Sequence, residues 1–244
     1  MVKTFKMLVC LLIAISVSSV FGGDSKSDKV KNATKGITWY NTSAFKITAG
    51  GKTLFIDVNK YIKKGNADII LFTHDHDDHV SASGIADIIS DSTVIIAPQT
   101  VFENKNLKKY NKKMISLKPL DSVVVDGIII RAVYAYNIKK QWHARSDAFV
   151  GYVITADGVT YYHTGDTERI PEMQSIACDI IMLPLGQKYT MNSVEEAAEV
   201  VTDVKAIVAI PMHWGEHEGT AADVAAFKNL MDQKKISCVV MKAK

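Results

Sequence analysis

The sequence predicts a mixed α/β protein, with strands and helices partly segregated (α+β), in which two sheets pack together and helices lie outside. Three observations carry that expectation. Short strand-like apolar runs dominate, and Gly-Gly and Asp-Gly dipeptides that favour tight hairpins separate several of them. Helical signals are few. The order of strands followed by a helix occurs in the first half and again in the second, as expected of one domain built in two halves. The 244 residues, 48% of them hydrophobic, are enough to bury a sizeable core. With 23% charged residues and a formal net charge of +3, the chain is neither disordered nor low in complexity. That charge is also too small for a dedicated nucleic-acid binder, so none is expected as a partner.

Residues 1–22 read as a removable signal peptide. Lys3 and Lys6 mark a basic start, an apolar run extends from Met7 to about Val17, and small residues follow through Gly22 and Gly23. The apolar run is shorter than the ~20 residues of a comfortable membrane span, and no later segment is long enough. The mature protein is therefore expected to be exported, periplasmic or secreted, without a transmembrane segment. Cleavage removes Cys10 and leaves Cys178 and Cys238, both in apolar runs, as a disulfide or as two buried thiols.

Residues 23–35 are polar and read as a flexible lead-in to a domain over 36–244. Strands are expected at Ile37–Tyr40, Ala44–Thr48 and Thr53–Val58, with Gly50-Gly51 turning between the last two. Asp68–Phe72 is continuously apolar after its first residue, as suits a strand buried on both faces. Thr93–Ala97 and Met114–Leu117 follow. Ser122–Val125 and Ile128–Val133 flank Asp126-Gly127, and Ala148–Thr155 and Val159–His163 flank Asp157-Gly158. The last strands are Asp179–Leu183, Ala206–Ile210 and Ile236–Met241. Helices are expected from about Ser83 to Ser90, from Ser193, and from Thr220. Glu196 and Asp223 complete capping-box spacings with Ser193 and Thr220. Between Phe102 and Lys113, five lysines face Glu103 alone. This segment reads as a solvated face, and less well as a surface for anionic substrate or phospholipid.

The chemistry lies in Thr73-His74-Asp75-His76-Asp77-Asp78-His79, directly after the buried strand. Sites of α/β sheets lie beyond such strand ends. Imidazole and carboxylate are the ligands that bind zinc, manganese or iron. Three imidazoles and three carboxylates in six residues would be wasteful as surface decoration. Further histidines and acids also fall at strand ends: His143 before Ala148, Asp166 after Val159–His163, and His213 after Ala206–Ile210. That shared placement predicts that they converge. His163 lies within a strand and reads as a core or supporting residue. His217 reads as an exposed loop residue rather than a substrate contact.

These clusters, together with Tyr161-Tyr162-His163-Thr164-Gly165-Asp166-Thr167, Leu183-Pro184-Leu185-Gly186, Tyr189-Thr190-Met191 and Ile210-Pro211-Met212-His213, resemble the metallo-β-lactamase-fold hydrolase superfamily from about Ile37 to Met241. The sequence is most similar to the group related to ascorbate-6-phosphate lactonase and N-acyl-phosphatidylethanolamine phospholipase D. The resemblance implies a four-layer αββα sandwich with two divalent metal ions, zinc first and manganese or iron as alternatives. It implies that His74, His76 and His143 hold one ion, that Asp78, His79 and His213 hold the other, and that Asp166 bridges them.

Two metals about 3.5–4 Å apart activate a bridging water toward a carbonyl carbon or phosphorus. Asp78 is the expected orienting and proton-accepting residue. Asp75 and Asp77 are expected to support ligand imidazoles or simply to be solvated. The leading expectation is a hydrolase of a small-molecule or lipid-like ester, a phosphodiester or a lactone. A thioesterase or β-lactam hydrolase is the nearest alternative, although Asp166 and the lack of a cysteine near any ligand motif argue against antibiotics. A di-iron redox enzyme is the rival from another class, and His76, where such enzymes carry Glu, argues against it. A binding protein that has lost catalysis has no need of seven matched ligands. Trp142 and Trp214 adjoin ligands as an apolar rim, and Tyr189 is a candidate hydrogen-bond donor to an oxyanion. The sequence is compatible with a homo-oligomer.

Overall fold

The computed structural model describes residues 25–244, and the signal-like segment 1–22 lies outside them. Each sheet begins antiparallel and ends parallel. In the first, β1 (Ile37–Trp39), β2 (Phe45–Ala49) and β3 (Lys52–Ile56) form a meander, and β4 (Ile69–Leu71), β5 (Val94–Ala97) and β6 (Met114–Ser116) add in parallel. In the second, β7 (Ser122–Val125), β8 (Ile128–Tyr134), β9 (Val150–Ala156) and β10 (Val159–His163) are antiparallel neighbours. Then β11 (Ile180–Pro184), β12 (Val208–Met212) and β13 (Ser237–Cys238) add in parallel. Parallel neighbours need crossovers; helices supply those from β4 onward in the first sheet and from β10 onward in the second, while residues 57–68 cross from β3 to β4 without one.

Period-two alternation divides the apolar residues among three cores. Ile47, Leu54, Ile69 and Leu71 of the first sheet face Ile130, Tyr152, Ile154, Ile180 and Ile210 of the second. Phe55, Ile70 and Ile95 point the other way, onto Ile85 of α2 (Ala82–Ala86) and Val101 of α3 (Gln99–Glu103). Val153, Tyr162, Ile181 and Ala209 point outward onto α4 (Val194–Asp203) and α5 (Ala221–Gln233). The layers are therefore helix, sheet, sheet, helix, as the family resemblance implies. The caps form as spaced: Ser193 Oγ accepts from Glu196 N at 3.1 Å, and Thr220 and Asp223 exchange hydrogen bonds of 2.7 and 3.2 Å.

Three sequence expectations change. The lead-in read as flexible is helical: Lys26–Lys35 form α1, capped by Ser25, with Val30 buried in the central core. Lys26 Nζ also reaches Asp179 Oδ2 at 2.6 Å, which fastens the helix to the second sheet. The helix expected from Ser83 to Ser90 is only Ala82–Ala86, capped by Ser81, because the Asp- and Ser-rich stretch beyond it turns back through Thr93. The last strand narrows to Ser237–Cys238 at the sheet edge. Cys178 and Cys238 are both free thiols. Burial, reinforced by Asp179, pushes the Cys178 thiol up to about 12. The lysine-rich segment is a 3-10 turn over Lys105–Lys113 with Leu107 buried and Lys105, Lys108 and Lys109 exposed, the solvated face expected of it.

Candidate metal centre

Strands of both sheets end at the same rim, and four chain segments meet there. β4 leads through Thr73 to His74, His76, Asp78 and His79. The loop after β8 carries His143, the turn after β10 carries Asp166, and the residue after β12 is His213. Two of these residues occupy the left-handed region, with φ of 56° at His143 and 57° at His213. Such backbone is uncommon for non-glycine residues and persists where the surroundings hold it. Gly165 (φ 66°) makes the turn before Asp166, where a Cβ would stand 2.8 Å from the Val150 carbonyl oxygen.

All seven residues expected as ligands come together. His76 Nδ1 lies 3.0 Å from His74 Nε2 and 3.3 Å from His143 Nε2. Asp166 Oδ2 lies 3.1 Å from His213 Nε2, 3.3 Å from His79 Nε2 and 3.9 Å from His143 Nε2. Asp78 Oδ2 stands 3.5 Å from both His79 Nε2 and His213 Nε2. Among the described residues, three groups have donor atoms close enough to share an ion: His74–His76–His143, His74–His79–Asp166 and Asp78–His79–His213.

The donor spacing suits a metal. Ligands about 2.0–2.1 Å from a tetrahedral ion stand about 3.3 Å from one another. The Nε2 atoms of His79 and His213 are buried without an aligned hydrogen-bond partner among the described residues, although carboxylate oxygens lie close by. Nitrogens that converge on carboxylate oxygens without bonding to them are arranged around a shared point.

Electrostatics agree with a site built for cations. Burial would lower the pKa of His79, but Asp166, Asp57 and Asp78 outweigh it and raise it to about 10. His213 is held well above its ordinary value by Asp166, Asp78 and Glu218, again against burial. Burial would raise the Asp166 and Asp78 carboxyls, yet the adjacent His213 and His79 pull both well below the usual range. His74 and His143 are lowered chiefly by burial, which keeps them neutral and able to ligate.

The supporting residues are those the sequence did not disclose. His79 Nδ1 is 2.9 Å from Asp57 Oδ2, and Asp57 also accepts from Thr73 N and Thr73 Oγ1 at 2.8 Å each. Thr73 Oγ1 in turn lies 2.9 Å from His74 Nδ1. Glu218 Oε1 is 3.0 Å from His213 Nδ1, and Glu218 Oε2 accepts from Lys188 N and Tyr189 N at 3.0 and 2.6 Å. Gly186 is required beneath it, since a Cβ there would stand 1.6 Å from Glu218 Cδ. Asn137 Nδ2 lies 3.3 Å from His143 Nδ1 and donates to the Tyr189 carbonyl at 2.7 Å. Buried Glu168 accepts from the backbone N–H groups of Ile138, Lys139 and Lys140 at 3.0–3.1 Å and so pins the loop that carries His143. Such contacts fix the tautomer and orientation of a ligating imidazole.

His163 supports the site without joining it. Its Nε2 donates to Ser43 O at 2.9 Å and its Nδ1 accepts from Gly165 N at 3.2 Å, while Ser43 Oγ donates to Asp166 Oδ1 at 3.3 Å. Asp77 is exposed and Asp75 half-buried, so Asp57 and Glu218 are the carboxylates behind the imidazoles. A pocket of about 510 Å³ opens onto His76, Asp78, His143, Asp166 and His213, and Trp142, Tyr189 and the half-exposed His217 line it. Trp214 is not a rim residue: it stacks on Trp39 with ring centroids 5.3 Å apart, because the turn after His213 directs it into the core.

Two layered sheets whose parallel strands deliver imidazoles and carboxylates to one rim define the metal-dependent hydrolases of the metallo-β-lactamase fold. Residues 36–213 match the family model described as the Beta-lactamase superfamily domain, and the chain belongs to that family. It is 35% identical over 208 residues to a UPF0173 metal-dependent hydrolase of Thermoplasma volcanium, covering 80% of this chain and 90% of that protein. A UPF0173 metal-dependent hydrolase of Pyrococcus horikoshii is 32% identical over 181 residues, covering 69% and 76% of the two chains. The crystal structure of a candidate metal-dependent hydrolase from Parabacteroides distasonis superposes with a TM-score of 0.73 at 29% identity, over 85% of this chain and 93% of that one. The chain is a metal-dependent hydrolase.

Proposed function

We propose that this hydrolase is binuclear, with His74, His76 and His143 holding one ion, Asp78, His79 and His213 the other, and Asp166 bridging them. Zinc suits a site of imidazoles and carboxylates without thiolate, and manganese or iron would fit the same donors. The observation that carries this reading is Asp166 Oδ2, which stands 3.1–3.9 Å from imidazole nitrogens of both triads. We further propose that the bond cleaved is of the ester type, a phosphodiester or a lactone, and that the mature protein is exported after removal of residues 1–22. Export rests on the basic, apolar and small-residue pattern of that segment.

Two bound divalent cations would supply Lewis acidity, polarising the scissile group and acidifying water near neutral pH. The chain does the rest. Asp78 lines the pocket, where its carboxylate is placed to orient the attacking water and accept its proton. Asp57 and Glu218 hold the His79 and His213 rings from behind, so they do not reorient as charge develops. Tyr189 borders the pocket and is placed to donate to the developing oxyanion.

A panel of a phosphodiester, a lactone, a thioester and a β-lactam, run on metal-loaded residues 24–244, tests the reading. One ester-type class is expected to turn over, to lose turnover with chelator, and to lose at least about 100-fold in kcat/KM in Asp78→Ala. Turnover that survives both treatments, or that is confined to the thioester or β-lactam, would overturn the proposed chemistry.

A further inference from the structure

Three tryptophans occur in the chain, and they sit very differently. Trp39 is 3% exposed and stacks on Trp214, whereas Trp142 is 47% exposed at the pocket mouth. A large indole left in water forfeits the burial that usually stabilises it. The loop does not need the ring, because its contacts run through the main chain. Asn137 Nδ2 donates to the carbonyl oxygens of both Trp142 and Tyr189, at 2.9 and 2.7 Å, and Asn137 N donates to His143 O at 2.8 Å. One buried amide therefore fastens two loops far apart in sequence and sets their aromatic rings side by side. The ring centroids are 6.2 Å apart at 67°, an edge-to-face pair.

The pocket lining mixes aromatic and charged side chains. Trp142 and Tyr189 border it next to His143, whereas Lys60, Glu216 and His217 contribute a polar rim. Glu216 is itself held by Tyr61 Oη at 2.7 Å and Lys60 Nζ at 3.1 Å, so that rim is also fixed. A substrate whose scissile group sits over the His/Asp cluster meets the Trp142 and Tyr189 rings, the latter with Lys188 Nζ 4.5 Å from its centroid, as well as charged groups.

We propose that Trp142 and Tyr189 form a preset aromatic wall that binds an aryl or acyl group, so that the substrates are hydrophobic esters rather than small, wholly polar ones. The substrate class rests on the reading of the cluster as a metal centre given above. Because both loops are already pinned, little ordering cost opposes binding on the wall.

Binding of two probe pairs, followed by ligand-observed NMR titration, separates the wall from the ions. One pair is acetate and 3-phenylpropanoate, whose carboxylates engage bound zinc. The other is acetamide and 3-phenylpropanamide, which are neutral and read the wall alone. In the native protein the phenyl member of each pair is expected to bind at least about 10-fold more tightly than its methyl counterpart, from the apolar area it buries. In Trp142→Ala that preference should shrink to under about 3-fold, and Trp142→Phe should restore most of it. Tyr189→Leu gives a second, independent reduction, and circular dichroism verifies that each variant is folded. No phenyl preference in the native protein, or the same preference in Trp142→Ala, would overturn the wall. If zinc strengthens neither carboxylate while the amides still discriminate, the metal reading fails and the wall stands. If zinc strengthens the carboxylates while neither pair discriminates, the metal reading stands and the wall fails.

Discussion

His79 sits among Asp57, Asp78 and Asp166 with no exposure to solvent, and those carboxylates hold its proton up to about pH 10 in the metal-free chain. In the unfolded chain the same imidazole titrates near 6.5. Above that pH the folded metal-free protein therefore binds more protons than the unfolded one. Its contribution to stability is complete below pH 6.5 and disappears as pH rises through about 10. The melting temperature of the metal-free protein should accordingly fall between pH 7 and 10, and Asp57→Asn should flatten the fall. A metal-free melting temperature that rises or stays level over that range would contradict the assignment. The ligand types were legible in the sequence because His-x-His-x-Asp-His carries its own spacing. Asp57, Glu168 and Glu218 were not, since each is a lone acid whose partners are brought in by distant loops. The same limit applies to Trp214, whose place beside a ligand suggested a rim and whose ring stacks on Trp39.

At the scale of elements, the parallel strands place the ligands and the loops after them aim the ligands. Strand positions were legible because period-two alternation and Asp-Gly turns mark them, and β10 falls at Val159–His163 as expected. Helix α1 was hidden because its sequence is polar except for Val30 and Ala33, and one buried valine gives no helical period. Residues 138–147, which carry His143, contain no strand, so their proximity to the site was legible but their support was not. Glu168 provides it through three backbone N–H groups. Glu168→Ala should leave those donors unpaired, cost about 1–3 kcal/mol of stability, and weaken zinc binding about 10–100-fold. Hydrogen exchange should then quicken at Ile138–Lys140 ahead of the sheets. Unchanged zinc affinity and unchanged exchange in that loop would show that Glu168 does not position His143.

At the scale of the whole molecule, the two halves contribute different parts of one site. The first sheet brings the His74–His79 run, and the second brings His143, Asp166 and His213. The central core holds the two sheets in register, so the site exists only when both pack. The layered architecture was legible from the repeated order of strands and helix together with the family motifs. The pairing of the halves was not, since no local signal says which strand ends share a rim. Asp166 ties the proposed ligand sets together, and it is the residue on which the binuclear reading depends. Titration of the metal-free chain with zinc, read as bound metal per chain, tests that reading most directly. Two ions per chain are expected for the native protein, and Asp166→Ala should lose at least one of them while the fold persists. A native chain that saturates at one ion or none, or an Asp166→Ala chain that still binds two ions as tightly as the native protein, would contradict it.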